Sequence, residues 1–278
     1  MVKRTQVRLN RHLDSQRLSN GEKKDGPSSW GLRTQAPRIA GAIQDYFDGQ
    51  TPSNLNAFAS PLYRTTAGAL AVMELLGVYQ EGRDGAPVRG AKPTVLSALD
   101  GMPRSSAYKA RMAASPGFKA AKKADAAGEP GARDELERLI IGFCLNPDNL
   151  QGDADTESPY ALGERYFSTI GDAARRLVGQ EDGYEGLDLL FAHEPGCTAT
   201  AVYALGLDRY DHETLGGPLK SGEALLFNME AAPGSDIVIV EFDYDQSATD
   251  LEFRTQRPTF GFAIDTATEG NCRILRQD

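Results

Sequence analysis

The apolar pattern of this chain changes period along its length, and that change limits the folds open to it. In the first half, apolar residues recur at helical spacing. Ile39, Ala42, Ile43, Tyr46 and Phe47 give one such face, Leu70, Met73 and Leu76 another within 66–79, and Leu136, Leu139, Ile140 and Phe143 a third within 133–144. A short helix at 95–99, a strand at 107–113 and an exposed helix or mobile loop at 115–131 lie between them. A strand near 165–167 and a helix near 172–178 follow. The last hundred residues read as short strands at 187–192, 198–204, 223–227, 237–242, 260–264 and 273–275, separated by Gly, Pro and Asp turns. Helices first and strands later predict an α+β domain rather than alternating βαβ units. The chain has no glycine-rich phosphate loop and no GxSxG elbow.

At 278 residues the chain suits one sizeable domain plus a tail, or two small domains. Its charge is uneven. Residues 1–38 carry nine Lys and Arg against Asp14, Glu22 and Asp25, which is +6, so the remainder holds −15 of a net −9. An acidic body argues against nucleic-acid binding, which needs a basic face. Residues 1–36 are polar and interrupted by Asn20-Gly21 and Gly26-Pro27-Ser28-Ser29. They are expected to form a flexible basic arm, with a single ordered domain over 37–278.

Cys144, Cys197 and Cys272 are odd in number and far apart, which suggests neither a disulfide framework nor a zinc site. His12, His193 and His212 are scattered too, so no metal is expected. The longest apolar stretch, 67–78, is broken by Glu74 and is too short to span a bilayer. No apolar run follows the basic N-terminus, so it is not an ordinary signal peptide, and export by a specialised route stays open.

Several segments carry a resemblance. Ile43-Gln44-Asp45-Tyr46-Phe47 is a helix bearing a tyrosine, and Ser53-Asn54-Leu55-Asn56 reads as an Asn-containing helix start. Leu96 to Pro103 contains Leu99-Asp100 followed by Pro103 and leads into Tyr108-Lys109-Ala110-Arg111-Met112. Ser168-Thr169-Ile170 follows Tyr166-Phe167, and Glu223 leads the apolar run 224–227. In this order the segments resemble the mono-ADP-ribosyltransferases of bacterial toxins and effectors, over roughly 39–245.

That resemblance implies an ADP-ribosyltransferase-like fold, with N-terminal helices and a β-rich half built as two packed sheets. It implies transfer of ADP-ribose from NAD, used as substrate without a metal, to a side chain of an unidentified target protein. Glu223 would stabilise the oxocarbenium ion, Ser168 and Thr169 would hold the nicotinamide ribose, and Arg111 would clamp the pyrophosphate. Arg64, in Leu62-Tyr63-Arg64-Thr65, is the alternative to Arg111. Tyr210 and Ser221 would meet the target. The protein would be soluble, and secreted or delivered into a host cell by a specialised route, or otherwise cytoplasmic. Ile170, Ser221 and the neighbours of Arg111 depart from the family pattern, which keeps open a non-catalytic binding protein on the same fold. A plain NAD glycohydrolase is the third reading.

Overall fold

The computed structural model describes residues 1–17, 23–82, 84–254, 256–267 and 272–276. The chain opens with β1 (Lys3–Arg11), the hairpin strands β2 (Ser15–Arg17) and β3 (Lys23–Pro27), α1 (Ala36–Tyr46), β4 (Leu55–Ala59) and α2 (Tyr63–Leu75). Short strands β5 (Gln80–Glu81), β6 (Pro87–Arg89) and β7 (Thr94–Val95) precede three helices, α3 (Ser106–Ala114), α4 (Pro116–Ala126) and α5 (Ala132–Cys144). Then come α6 (Pro159–Val178), β8 (Glu185–Ala192), α7 (Gly196–Leu205) and α8 (His212–Leu215). Strands β9 (Ala224–Ala231), β10 (Ile237–Asp245), β11 (Phe260–Asp265) and β12 (Arg273–Arg276) close the chain.

Eight of these strands form one sheet, in the order β12-β11-β10-β9-β1-β8-β4-β7. Strands β1, β8, β4 and β7 are mutually parallel, while β9 to β12 run antiparallel in sequence. The core lies on both faces. Leu187, Leu189 and Phe191 of β8 pack with Ile39, Ile43, Ala69 and Val72 of α1 and α2. Leu190 and Ala192, on the opposite face of the same strand, pack with Tyr166, Ile170, Ala174 and Leu177 of α6. Period-2 alternation in β8 therefore serves two helical layers at once.

Two expectations fail here. The β-rich half is not two packed sheets. It is one mixed sheet whose parallel part needs crossover helices, and those helices cover both faces. The described residues within 1–36 do not form a flexible arm either. Residues 3–11 form β1, between β8 and β9, with Val7 and Leu9 wholly buried. The charges Arg4, Arg8 and Arg11 made the segment look like a tail, but Arg8 is buried against Asp245. Asn20-Gly21 lies outside the described residues.

Local structure corrects the remaining assignments. The strands expected at 187–192, 223–227, 237–242, 260–264 and 273–275 are present. The run at 198–204 lies in α7 instead, because its short Thr and Ala side chains give no clear period to distinguish strand from helix. Residues 107–113 lie in α3, which Ser105 caps by accepting from Tyr108 N. The pair Ser168-Thr169 sits inside the 20-residue helix α6, capped by Ser158 with Pro159 at its first position. Leu55 and Asn56, read as part of a helix start, open β4 instead.

Candidate active site

The carboxyl ends of β1, β4 and β8 reach the same edge of the sheet, where β9 begins. Backbone bonds continue the ladder past the strands: His12 N donates to Ala192 O (2.9 Å) and Ser60 N donates to Phe191 O (3.0 Å). Arg11 N donates to Glu223 O (2.9 Å) from the other side. This places the first residues after three parallel strands side by side: His12, Ser60 and His193. The carboxyl edge of parallel strands is where open α/β sheets place their ligands.

The two histidine rings meet there, with centroids 5.4 Å apart. A cavity of about 260 Å³ opens over them. It is lined by Arg11, His12, His193 and Glu194 from the strand ends, by Arg64 of α2, by Arg104 and Met112 at α3, and by Arg133, Glu137, Ile140 and Ile141 of α5. Among the described residues, no group of three or more His, Cys, Asp or Glu side chains is placed to hold a metal.

His12 is buried, and its Nδ1 lies 2.7 Å from Leu13 O. A carbonyl only accepts, so Nδ1 carries the hydrogen and Nε2 keeps its lone pair. Burial, and then the charge of Arg11, hold its pKa well below the ordinary histidine value. His193 is fixed in the same way. Arg64 Nη2 donates to its Nδ1 (3.4 Å), so Nε2 carries the hydrogen and donates to Ser60 Oγ (2.5 Å). Burial and Arg64 lower the His193 pKa to about 3, against a smaller opposing effect of Asp25. Both imidazoles are therefore neutral near pH 7.

The arginines are held by carboxylates. Arg11 makes a two-pronged contact with Glu137 (2.9 and 3.3 Å) and donates to Leu219 O (2.5 Å). Burial opposes its charge, but Glu137 more than compensates, and its pKa is raised. Arg64 pairs with Asp25 of the β2–β3 hairpin (3.3 Å). The same carboxylate accepts from Tyr63 N and Arg64 N, which anchors the first turn of α2. The Nε atoms of Arg11 and Arg64 are buried without a hydrogen-bond partner.

Glu194 follows His193 directly. Its carboxyl accepts from Thr198 Oγ1 (2.8 Å), Thr198 N (3.4 Å) and Leu219 N (2.9 Å). Burial still raises its pKa, against the charge of Arg11. The turn that carries it leaves no room for a side chain at Gly196, where a Cβ would fall 2.1 Å from the Tyr166 ring. Tyr166, in turn, donates from its hydroxyl to Leu99 O (2.8 Å).

The residues expected from sequence do not assemble. Arg111 lies on α3, donating to Leu150 O and pairing with Asp153 (3.3 Å). Ser168 is exposed on α6 and donates to Arg165 O, and Thr169 donates within the same helix to Tyr166 O. Glu223 is 1% exposed. It pairs with Arg257 (3.2 Å), and accepts from Lys220 N and Thr249 Oγ1. Tyr210 contacts His212 (3.2 Å), and Ser221 O accepts from Gln35. Only Arg64, the alternative to Arg111, is part of the cavity that holds the histidines.

The residues that sequence reasoning passed over are Arg11, His12, Ser60, His193 and Glu194. Their signal is position: Arg11 ends a strand, His12, Ser60 and His193 each follow one directly, and Glu194 is the next residue. His193-Glu194 closes the apolar run 187–192, and Arg11-His12 closes the alternation through Val7 and Leu9.

No protein-family model matches the sequence, and no curated protein matches it. Among solved structures, the chain is similar to "Mycobacterial hydrolase 2", with 18% identity, TM-score 0.49, and 88% of this chain and 89% of that one covered. It is also similar to a mycobacterial glucosyl-3-phosphoglycerate phosphatase (15% identity, TM-score 0.47, covering 82% and 91%). A phytase from Klebsiella sp ASR1 is similar over 99% of this chain and 92% of its own, with 12% identity and TM-score 0.46. At these identities and scores the likeness assigns no residue a role.

One eight-stranded sheet, with Arg111 paired to Asp153, Ser168 bonded within α6 and Glu223 buried against Arg257, does not make an ADP-ribosyltransferase site. The ADP-ribosyltransferase resemblance is thus overturned. With it go NAD as substrate, the NAD glycohydrolase and binding-only alternatives on that fold, and the reading as a toxin or effector. Among the described residues no helix is long and apolar enough to cross a membrane.

Proposed function

We propose that the protein hydrolyses phosphomonoesters through a phosphohistidine at His12. The observation that carries this reading is the His12 Nδ1 contact with Leu13 O, which leaves Nε2 unprotonated in a cavity lined by arginine. An arginine-lined cavity in a chain of net charge −9 concentrates anions at one place. Guanidinium forks suit the oxygens of a phosphoryl group, and an uncharged imidazole nitrogen is the nucleophile beside them.

In the first step His12 Nε2 attacks phosphorus, and the bond from phosphorus to the leaving oxygen breaks. The leaving oxygen takes a proton from Glu194, whose raised pKa keeps that proton available. In the second step water attacks phosphorus, gives its proton to the Glu194 carboxylate and releases phosphate, which restores neutral His12. Arg11 and Arg64 offset the charge on the transferring oxygens. Entering phosphate competes with Glu137 and Asp25 for these guanidinium groups. The two histidines carry depressed pKa values, so neither is the acid in the empty site.

The test is hydrolysis of p-nitrophenyl phosphate by the full chain and by His12→Ala. The proposal expects turnover by the wild type and a loss of ~10³-fold or more in the variant, the scale of removing a nucleophile. A folded His12→Ala protein with full turnover, or an inert wild type, would overturn it.

A further inference from the structure

Four arginines line the cavity, and three have carboxylate partners. Arg11 and Arg133 share Glu137, Arg133 also meets Asp125, and Arg64 meets Asp25. Arg104 differs. Among the described residues it has no carboxylate partner, and its Nη1 contact is Cys144 Sγ at 3.6 Å. Burial raises the Cys144 pKa, so the sulfur stays a neutral thiol and offers no countercharge. The Arg104 Nε is buried with no hydrogen-bond partner. A guanidinium left half-buried and unpaired is costly unless an anion joins it.

Its position says where that anion would be. Arg104 lies just before α3 and lines the same cavity as the histidines. Met112, Ile140 and Ile141 line it too. A phosphoryl group on His12 is served by Arg11 and Arg64. The rest of the ester then shares the cavity with Met112, Ile140 and Ile141 and with one positive charge that has no carboxylate partner among the described residues.

Resting on the phosphomonoesterase reading, we propose that Arg104 selects substrates with a second anionic group. The preferred class is a compact phosphomonoester whose leaving portion carries a carboxylate or a second phosphate across a short apolar spacer.

The test compares phenyl phosphate, 4-carboxyphenyl phosphate and benzene-1,4-bisphosphate, with kcat/KM read as a ratio to phenyl phosphate so that general losses cancel. The wild type is expected to favour at least one of the doubly anionic substrates by about tenfold or more, the scale of one charge-assisted hydrogen bond. Which of them gains identifies the second group. In Arg104→Met, which keeps the apolar stem, the ratio should fall to near one, and Arg104→Lys should keep part of it. A wild-type ratio near or below one for both, or an unchanged ratio in Arg104→Met, overturns the inference. Calorimetry with phenylphosphonate and 4-carboxyphenylphosphonate reads the same selectivity as a ratio of Kd without turnover. An inert protein that binds the carboxylated phosphonate more tightly through Arg104 would refute the hydrolase and keep the anion site. Equal binding of the two phosphonates, or none of either, would refute the site.

Discussion

Arg64 Nη2 donates to His193 Nδ1 across 3.4 Å, and this contact makes the ring a donor at its other nitrogen, toward Ser60. A positive charge at that distance also opposes protonation of the ring, and the His193 pKa falls to about 3, chiefly through burial. Unfolded, the same histidine titrates near ~6.5. Between these values the unfolded chain holds a proton that the folded chain lacks. The contribution of neutral His193 is therefore complete above pH ~6.5 and is lost as pH falls toward 3. His12 acts in the same direction. The Tm should drop between pH 7 and 4.5, and His193→Asn should flatten that drop. An equal slope in the variant would mean that His193 is not held neutral in the fold.

Glu194 has the opposite sign: burial raises its pKa, so it carries a proton over a range where an ordinary glutamate has lost it. As the acid for the leaving oxygen, it matters most for substrates whose alcohol leaves poorly. Glu194→Gln should slow an alkyl phosphate at least about tenfold more than p-nitrophenyl phosphate. Equal slowing of both would assign Glu194 a role in holding the Leu219 loop rather than in proton transfer.

Glu223 distinguishes the sequence reading from the structure. As a catalytic carboxylate it would be dispensable for folding. In the structure it is a buried partner of Arg257, a guanidinium that also donates to Leu215, Gly217 and Pro218 carbonyls. Glu223→Ala leaves that charge partly uncompensated and should destabilise the fold by about 3 kcal/mol or more, measured by urea unfolding. A loss within 0.5 kcal/mol, roughly the scale of a neutral surface change, would be inconsistent with the buried pair.

Residues 1–36 supply β1, and with it Arg11 and His12. Deleting them removes the strand that joins the parallel half of the sheet to the antiparallel half. The truncated chain should be insoluble or lack cooperative unfolding. A soluble, cooperatively unfolding 37–278 fragment would show that β1 is dispensable.

The sequence made the regular parts of the fold legible and hid the site. Strands β8 to β12, apart from the helical run at 198–204, were readable because half-buried strands alternate and fully buried ones are bounded by turns. Helices α1, α2 and α5 were readable because one face of each is apolar. Strand β1 was missed because Lys3, Arg4, Arg8 and Arg11 mask its alternation. A buried arginine with a distant partner, such as Arg8 with Asp245, looks in sequence like a solvated charge. The site was hidden for a related reason. His12, Ser60 and His193 lie far apart along the chain, and only the parallel order β1-β8-β4 makes them neighbours. The Ser168-Thr169 pair misled because hydroxyls inside a helix bond back to their own turn.

A phosphoryl group carried by His12 can be trapped. The wild-type protein would be mixed with p-nitrophenyl phosphate, quenched in alkali within milliseconds, digested and sequenced by mass spectrometry. One acid-labile, base-stable phosphoryl group is expected on the imidazole of His12, absent from His12→Ala. Turnover by the wild type with His12 unmodified at every time point, or with the phosphoryl group on another residue, would contradict it.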